Sequence, residues 1–217
     1  MGKQGLQSRC FSETMDKIMI QKGTYIRPAV IEDLKFVASI HKQQFSTHYL
    51  GQFSTILLER FYESLLRDEI IFVVSETEGQ VSGFVVGGKL SEINKYTSQF
   101  IKNNIPLYVS EILIHPQTWI NSCKKFARII FKCTPPACSL DNTMDYTLLS
   151  IAVSPCVQGK HIANHLVEGF EHVLKKYSDE YFLSVKDNNF RALRFYQKMG
   201  LIEKVRFNKE IQLTKQI

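Results

Sequence analysis

The sequence predicts a mixed α/β fold, one sheet flanked by helices, and three stretches carry that reading. Leu148-Leu149-Ser150-Ile151-Ala152-Val153 is an apolar run that suits a strand buried on both faces, and Ser154-Pro155 stops it. After a turn, Ile162, Ala163, Leu166, Val167, Phe170, Val173, Leu174 and Tyr177 recur at helical spacing, the stripe of a helix lying on a sheet. Ile70-Ile71-Phe72-Val73-Val74 and the run from Val81 to Gly88 are β-rich and joined by the compact turn Glu78-Gly79-Gln80, which reads as a hairpin.

At 217 residues and 44% hydrophobic content the chain can bury a substantial core, and one domain with an elaboration is the expectation. Charged residues make up 22%, which argues against overall disorder. The net charge of +6 favours anionic partners, but no RNA- or DNA-binding motif accompanies it, so nucleic acid is not expected. The five cysteines, Cys10, Cys123, Cys133, Cys138 and Cys156, form no Cys-x-x-Cys pair and fit reduced thiols in a cytosol. No apolar run reaches the length of a membrane span, and the N-terminus lacks a signal-peptide core. A cytoplasmic protein is therefore expected. No Cys/His spacing points to a metal.

Along the chain, residues 1–23 are polar and read as a leader that frays or docks as a short helix, with a single domain over 24–217. Tyr25-Ile26-Arg27-Pro28 is a short strand closed by proline, and Glu32 and Asp33 suit the first turn of a helix whose buried stripe is Leu34, Val37, Ala38 and His41. His41 reads as a polar residue at the edge of the core rather than as a base. The loop from Ser46 to Gln52 contains His48 and Tyr49 and precedes a second helix with Leu57, Leu58, Phe61, Tyr62, Leu65 and Leu66 at helical spacing.

After the hairpin, residues 91–142 form an insertion too long for a structureless loop, and helices are expected there. Its later part carries Lys124, Lys125, Arg128 and Lys132 on one face, which suits either solvent or a phosphate-bearing acceptor or anionic surface. Cys133-Thr134-Pro135-Pro136-Ala137-Cys138 reads as an irregular exit. Glu111 and His115 lie in the insertion and cannot be placed by pattern.

The turn Gln158-Gly159-Lys160-His161-Ile162-Ala163 opens a helix whose first N–H groups are unpaired and carry a partial positive charge, which attracts phosphate. The same pattern also serves as a tight connection with no ligand. Farther on, Leu183 to Leu201 combines a short strand, an Asn-rich helix start and a helix ended by Gly200. Together the two segments resemble the acetyl-CoA-binding half of the GNAT superfamily of N-acetyltransferases. Gln158 and Ala163 match its Gln/Arg-x-x-Gly-x-Gly/Ala loop, and Val185, Asn189, Ala192, Tyr196 and Gly200 match its second pattern. His161 departs from it, standing where the family usually has glycine. The match is specific over about the last 70 residues and looser before them.

The resemblance implies a mixed, mostly antiparallel sheet with a splayed parallel strand pair, and acetyl-CoA as the cofactor. It implies diphosphate binding by Gln158, Gly159, Lys160, His161, Ile162 and Ala163. It also implies carbonyl polarisation by a main-chain amide among Ile151, Ala152 and Val153, and cofactor contacts at Asn189, Ala192 and Tyr196. Asn189 is equally suited to cap its helix. Tyr196 is implied as general acid, the alternative being a core aromatic beside Phe195. His48 and Tyr49 are candidate acceptor contacts or solvated loop residues. For the amine's proton, Asp145, Glu111 and a water chain stay open. Cys156 lies near the loop, but direct attack makes a cysteine nucleophile unnecessary.

The activity expected is N-acetylation of a small-molecule primary amine, an aminosugar or nucleotide-linked sugar first, with a homodimer allowed. The alternatives are a protein or peptide N-acetyltransferase and a non-catalytic acyl-CoA-binding module.

Overall fold

The computed structural model describes residues 17–21, 23–46, 50–114 and 145–217. Among them, eight strands pair into one sheet: β1 (Ile18–Gln21), β2 (Thr24–Pro28), β3 (Ile70–Thr77), β4 (Gln80–Lys89), β5 (Tyr146–Val153), β6 (Glu180–Lys186), β7 (Ile202–Phe207) and β8 (Glu210–Gln216). The spatial order is β1, β2, β3, β4, β5, β6, β8, β7. Every neighbouring pair is antiparallel except β5 and β6, which are parallel. The helices are α1 (Leu34–Gln44), α2 (Thr55–Leu65), α3 (Leu90–Asn103), α4 (Ile105–Ile114), α5 (Ile162–Leu174) and α6 (Phe190–Lys198). The crossover from β5 through α5 to β6 gives the parallel pair the sequence leads one to expect.

Period-two alternation divides the apolar residues between two cores. Phe72, Val74, Phe84, Val86 and Ala152 pack under α1, α2 and α3 with Leu34, Val37, Phe61, Tyr62 and Phe100. Ile71, Val73, Val85 and Leu148 point to the other face and pack with Leu166, Val167, Phe170 and Val173 of α5. An ion-paired cluster fixes the entry to α1: Arg27 donates to Asp33 at 2.7 and 2.9 Å and to Glu76 at 2.7 Å. The buried Asp33 also accepts from the Val30 N–H at 2.9 Å. α2 is capped by Ser54, whose hydroxyl accepts from Leu57 N–H at 3.3 Å.

Two details differ from the sequence reading. Ile18–Gln21, inside the stretch read as a fraying leader or short helix, is an edge strand paired antiparallel to β2. Backbone pairing with an existing edge decides its conformation, which composition alone does not reveal. Leu149, part of a run read as one uninterrupted strand, sits at a bulge: Val86 pairs with Ser150 and Gly87 pairs with Leu148, so Leu149 is the extra residue on β5. The bulge places Leu148 in the α5-side core and leaves Ser150 free for the opposite face. The first part of the insertion is helical, as α3 and α4. Its basic face with Lys124, Lys125, Arg128 and Lys132, the exit at 133–138 and His115 lie outside the described residues.

Gly87 sits opposite this bulge, where a Cβ would meet the Thr147 carbonyl oxygen and lie 2.7 Å from the Phe170 ring. Gly87→Ala is therefore expected to lower the unfolding free energy by about 1–3 kcal/mol, as overpacking does. Chemical denaturation checks it, and an unchanged midpoint would contradict the close approach.

Candidate active site

Parallel strands β5 and β6 are held together at one end and open at the other. Their register consists of Thr147 opposite Phe182, and beyond that pair no ladder joins them. The opening leads into a cleft of about 770 Å³. Its walls are the last six residues of β5, residues 183–186 of β6, the turn before α5, the start of α6 and, from the other face of the sheet, the ends of α1 and α2.

The backbone supplies donors along this cleft. Ser154 N–H donates back to Ser82 O at 2.7 Å, on the β4 side. Strand alternation therefore puts the Ala152 N–H on the β4 side and the N–H groups of Ile151 and Val153 on the side that opens toward β6. At the turn, Lys160 N–H bonds to Val157 O, whereas among the described residues the N–H groups of Gly159, His161, Ile162 and Ala163 have no hydrogen-bond partner. Gly159 and His161 have φ of 83° and 59°, on either side of Lys160, which has negative φ. That alternation makes a concave run of amides at the N-terminus of α5, a site suited to a diphosphate by backbone and dipole alone.

His161 thus adopts the glycine-like conformation that its position demands. Histidine is among the non-glycine residues enriched in the left-handed region, and the residue is exposed where it lines the cleft. Lys160 is exposed and does not line the cleft. Gln158 donates to Gln44 Oε1 at 3.2 Å and accepts from Arg191 at 3.0 Å, so its side chain bridges the end of α1 and the start of α6 across the cleft mouth. Arg191 and Gln44 were not singled out by sequence; both sit on amphipathic helices where such residues normally face solvent. Cys156 is exposed on the short turn after β5 and lies off the cleft wall.

Asn189 and Ala192 line the cleft at the start of α6. The Asn189 side-chain oxygen accepts from Ala192 N–H at 3.2 Å, a cap that leaves the side-chain NH₂ to other acceptors. Tyr196, one turn on, is 8% exposed and lines the same cleft, and among the described residues its hydroxyl makes no hydrogen bond. Burial pushes its pKa up to about 12, so the phenol is protonated at neutral pH.

Of the carboxylates considered from sequence, neither reaches the cleft. Asp145 is exposed and pairs with Lys89 at 3.3 Å, while Glu111 accepts from Ser54 N–H at 3.0 Å and so ties α4 to the start of α2. Instead, His41, Tyr62 and Ser150 line it from the α1/α2 side. His41 is buried at the core's edge, as its place in the helical stripe suggests, but its Nδ1 lies 2.6 Å from the Tyr62 hydroxyl. His48 and Tyr49 lie outside the described residues.

Two measurements follow from this geometry. Strain relief at a left-handed position, about 1–2 kcal/mol, offsets the extra freedom glycine gives the unfolded chain, so His161→Gly should hold or raise the melting temperature. His161→Val, with a β-branched side chain, should lower it; the reverse order would contradict the assigned backbone. Second, Tyr196→Phe should leave the phenolate absorbance of the folded protein unchanged up to about pH 11, because a phenol held that high contributes little there.

In sequence, residues 129–201 match the acetyltransferase (GNAT) family model. No curated protein matches the chain. Among solved structures, Ard1 from Thermoplasma volcanium is 15% identical with a TM-score of 0.54, over 90% of this chain and 98% of that one. The PaiA N-acetyltransferase from Thermoplasma acidophilum, in complex with coenzyme A, is 16% identical with a TM-score of 0.52, over 89% and 99%. Ribosomal-protein-alanine N-acetyltransferase from Brucella melitensis is 14% identical with a TM-score of 0.54, over 88% and 99%. No helix among the described residues is long and apolar enough to cross a membrane. The splayed strand pair and the amide-lined turn fall on the stretch, residues 129–201, that matches the acetyltransferase (GNAT) family model, and the solved structures share its fold.

Proposed function

We propose that this chain transfers an acetyl group from acetyl-CoA to the primary amine of a small molecule by direct attack, with aminosugars and nucleotide-linked sugars as the first class. The match of residues 129–201 to the acetyltransferase (GNAT) model supports an acyltransferase with acetyl-CoA as donor. The observation that carries the reading is one continuous cleft, from the unpaired amides of residues 159–163, past the open edge of β5, to Tyr196.

The residues fit that donor. The amides of Gly159, His161, Ile162 and Ala163 would hold its diphosphate, with the dipole of α5 behind them. The free edge of β5 and the Asn189 NH₂ would bind the amide-bearing arm, much as a strand is added to a sheet edge. When bound, acetyl-CoA supplies an acetyl group activated as a thioester. The Ile151 and Val153 N–H groups, on the side of β5 that opens toward β6, would polarise a carbonyl there, and fixed donors of this kind need no reorganisation during reaction. Tyr196 holds a proton that it can give to a departing thiolate. Phe45, Leu50 and Phe61 wall the acceptor side of the cleft, which favours a small acceptor over an extended peptide.

Calorimetry with acetyl-CoA should show one site per chain, and thiol release should appear with members of an amine panel of free aminosugars, nucleotide-linked aminosugars and peptides. Acetylation of peptides alone would replace the small-molecule reading with a protein one; stabilisation by acetyl-CoA without thiol release from any amine would mark a binding module. Tyr196→Phe should lower kcat by about 100-fold, in the range of a lost general acid, with little change in acetyl-CoA affinity. Equal turnover in the variant would remove the acid role.

A further inference from the structure

We infer that Ser150, Tyr62 and His41 form a directional proton path that takes the proton from the acceptor amine, with His41 Nδ1 as its terminus. The inference rests on the acetyltransferase reading above and adds the base that the carboxylates do not provide. The Tyr62 side chain is fully buried and its ionisation is strongly opposed, so it is a phenol that must donate its proton to something. Its hydroxyl lies 2.6 Å from His41 Nδ1, and Ser150, which lines the same cleft, eases the ionisation that burial opposes.

A histidine nitrogen that receives a phenol proton is an acceptor, which assigns the resting ring a proton on Nε2. Ser150 then donates to the Tyr62 oxygen, and its own lone pairs are left for a donor in the cleft that it lines. The order proposed is Ser150 O–H to Tyr62 O–H to His41 Nδ1. The bulge at Leu149 makes this possible, because it turns Ser150 to the α1/α2 face while Leu148 stays in the opposite core.

The charged and titratable groups around this path are few among the described residues. Of the elements packed against α1, α2 brings Tyr62, β5 brings Ser150, and β4 brings the apolar Phe84 and Val86. Across the cleft stand His161, Lys186, Arg191, Tyr196 and Glu210. Tyr196 packs with the core on the α5 side of the sheet, so the proton donor and the proton acceptor reach the opening from opposite faces.

As the neutral amine nitrogen bonds to the acetyl carbon and the carbon–sulfur bond breaks, one N–H proton leaves the nitrogen and one proton reaches the sulfur. The first passes to Ser150 Oγ while the Ser150 proton moves to Tyr62 and the Tyr62 proton to His41 Nδ1. The second comes from Tyr196 Oη. Exchange with water then restores both residues.

The test combines a pH profile with nitrogen NMR on the full chain. With the best amine of the panel at saturating acetyl-CoA, kcat/KM for the amine should rise with pH along a limb set by one histidine. His41→Gln should abolish that limb and lower kcat by about 100-fold with unchanged acetyl-CoA affinity. Tyr62→Phe, which keeps the packed ring, and Ser150→Ala should each lower kcat and leave that affinity intact. In the resting enzyme, ¹⁵N shifts should show His41 Nδ1 without a proton, and Tyr62→Phe should move that resonance. A limb that persists in His41→Gln, full turnover in Tyr62→Phe, or a proton on His41 Nδ1 in the resting enzyme would each overturn the path. Failure of every amine to release thiol would instead overturn the acetyltransferase reading, while the nitrogen shifts still decide the direction of the hydrogen bonds.

Discussion

Everything in this molecule that bears on chemistry depends on one pair of strands being parallel and unable to stay paired. Thr147 opposite Phe182 is the last register contact between β5 and β6, and from there the two strands diverge. Each keeps its other partner: β5 is laddered to β4, and β6 to β8 over its whole length. The sheet therefore stays continuous in its fold but carries an internal open edge along the cleft. An unpaired edge within a sheet is costly unless something takes its hydrogen bonds, which is why such an edge suits an extended, amide-bearing ligand.

The bulge at Leu149 and the absence of a side chain at Gly87 belong to the same constraint. The extra residue bends β5 where it leaves β6, and the close approach of Gly87 to Thr147 and Phe170 allows the bend to be packed. One consequence is chemical. By resetting which residues face which side, the bulge gives the opening a hydroxyl, Ser150, on the face where Tyr62 and His41 lie. A regular strand would present Ser150 and Leu148 to the same face, and the polar chain would end in an apolar core.

The turn before α5 works on a different principle, since its polar groups come from the main chain. Four amides with no hydrogen-bond partner among the described residues and a helix N-terminus form a surface suited to an anion, so side-chain identity there matters mostly through backbone conformation. His161 is instructive for that reason. It departs from the glycine of the family pattern yet takes a left-handed conformation with φ of 59°, and its ring lies exposed at the cleft mouth. Lys160, whose charge made it a natural candidate, stays off the cleft wall.

Read alone, the sequence determined the elements and named residues that line one end of the cleft. The apolar run into Ser154-Pro155, the stripe from Ile162 to Leu174 and the pattern from Val185 to Gly200 are local signals, because helical and strand periodicities and caps are written within a few residues. They placed Gly159, Ala163, Asn189 and Tyr196 together along what is now a single cleft. Tertiary structure alone decided the rest. The bulge arises from pairing with β4, the strand at Ile18–Gln21 from an available edge, and the removal of Asp145 and Glu111 from the cleft from contacts with Lys89 and Ser54. The meeting of His41, Tyr62 and Ser150 joins residues of α1, α2 and β5 that lie up to about a hundred positions apart, a relation that no local pattern encodes and only packing across the sheet creates.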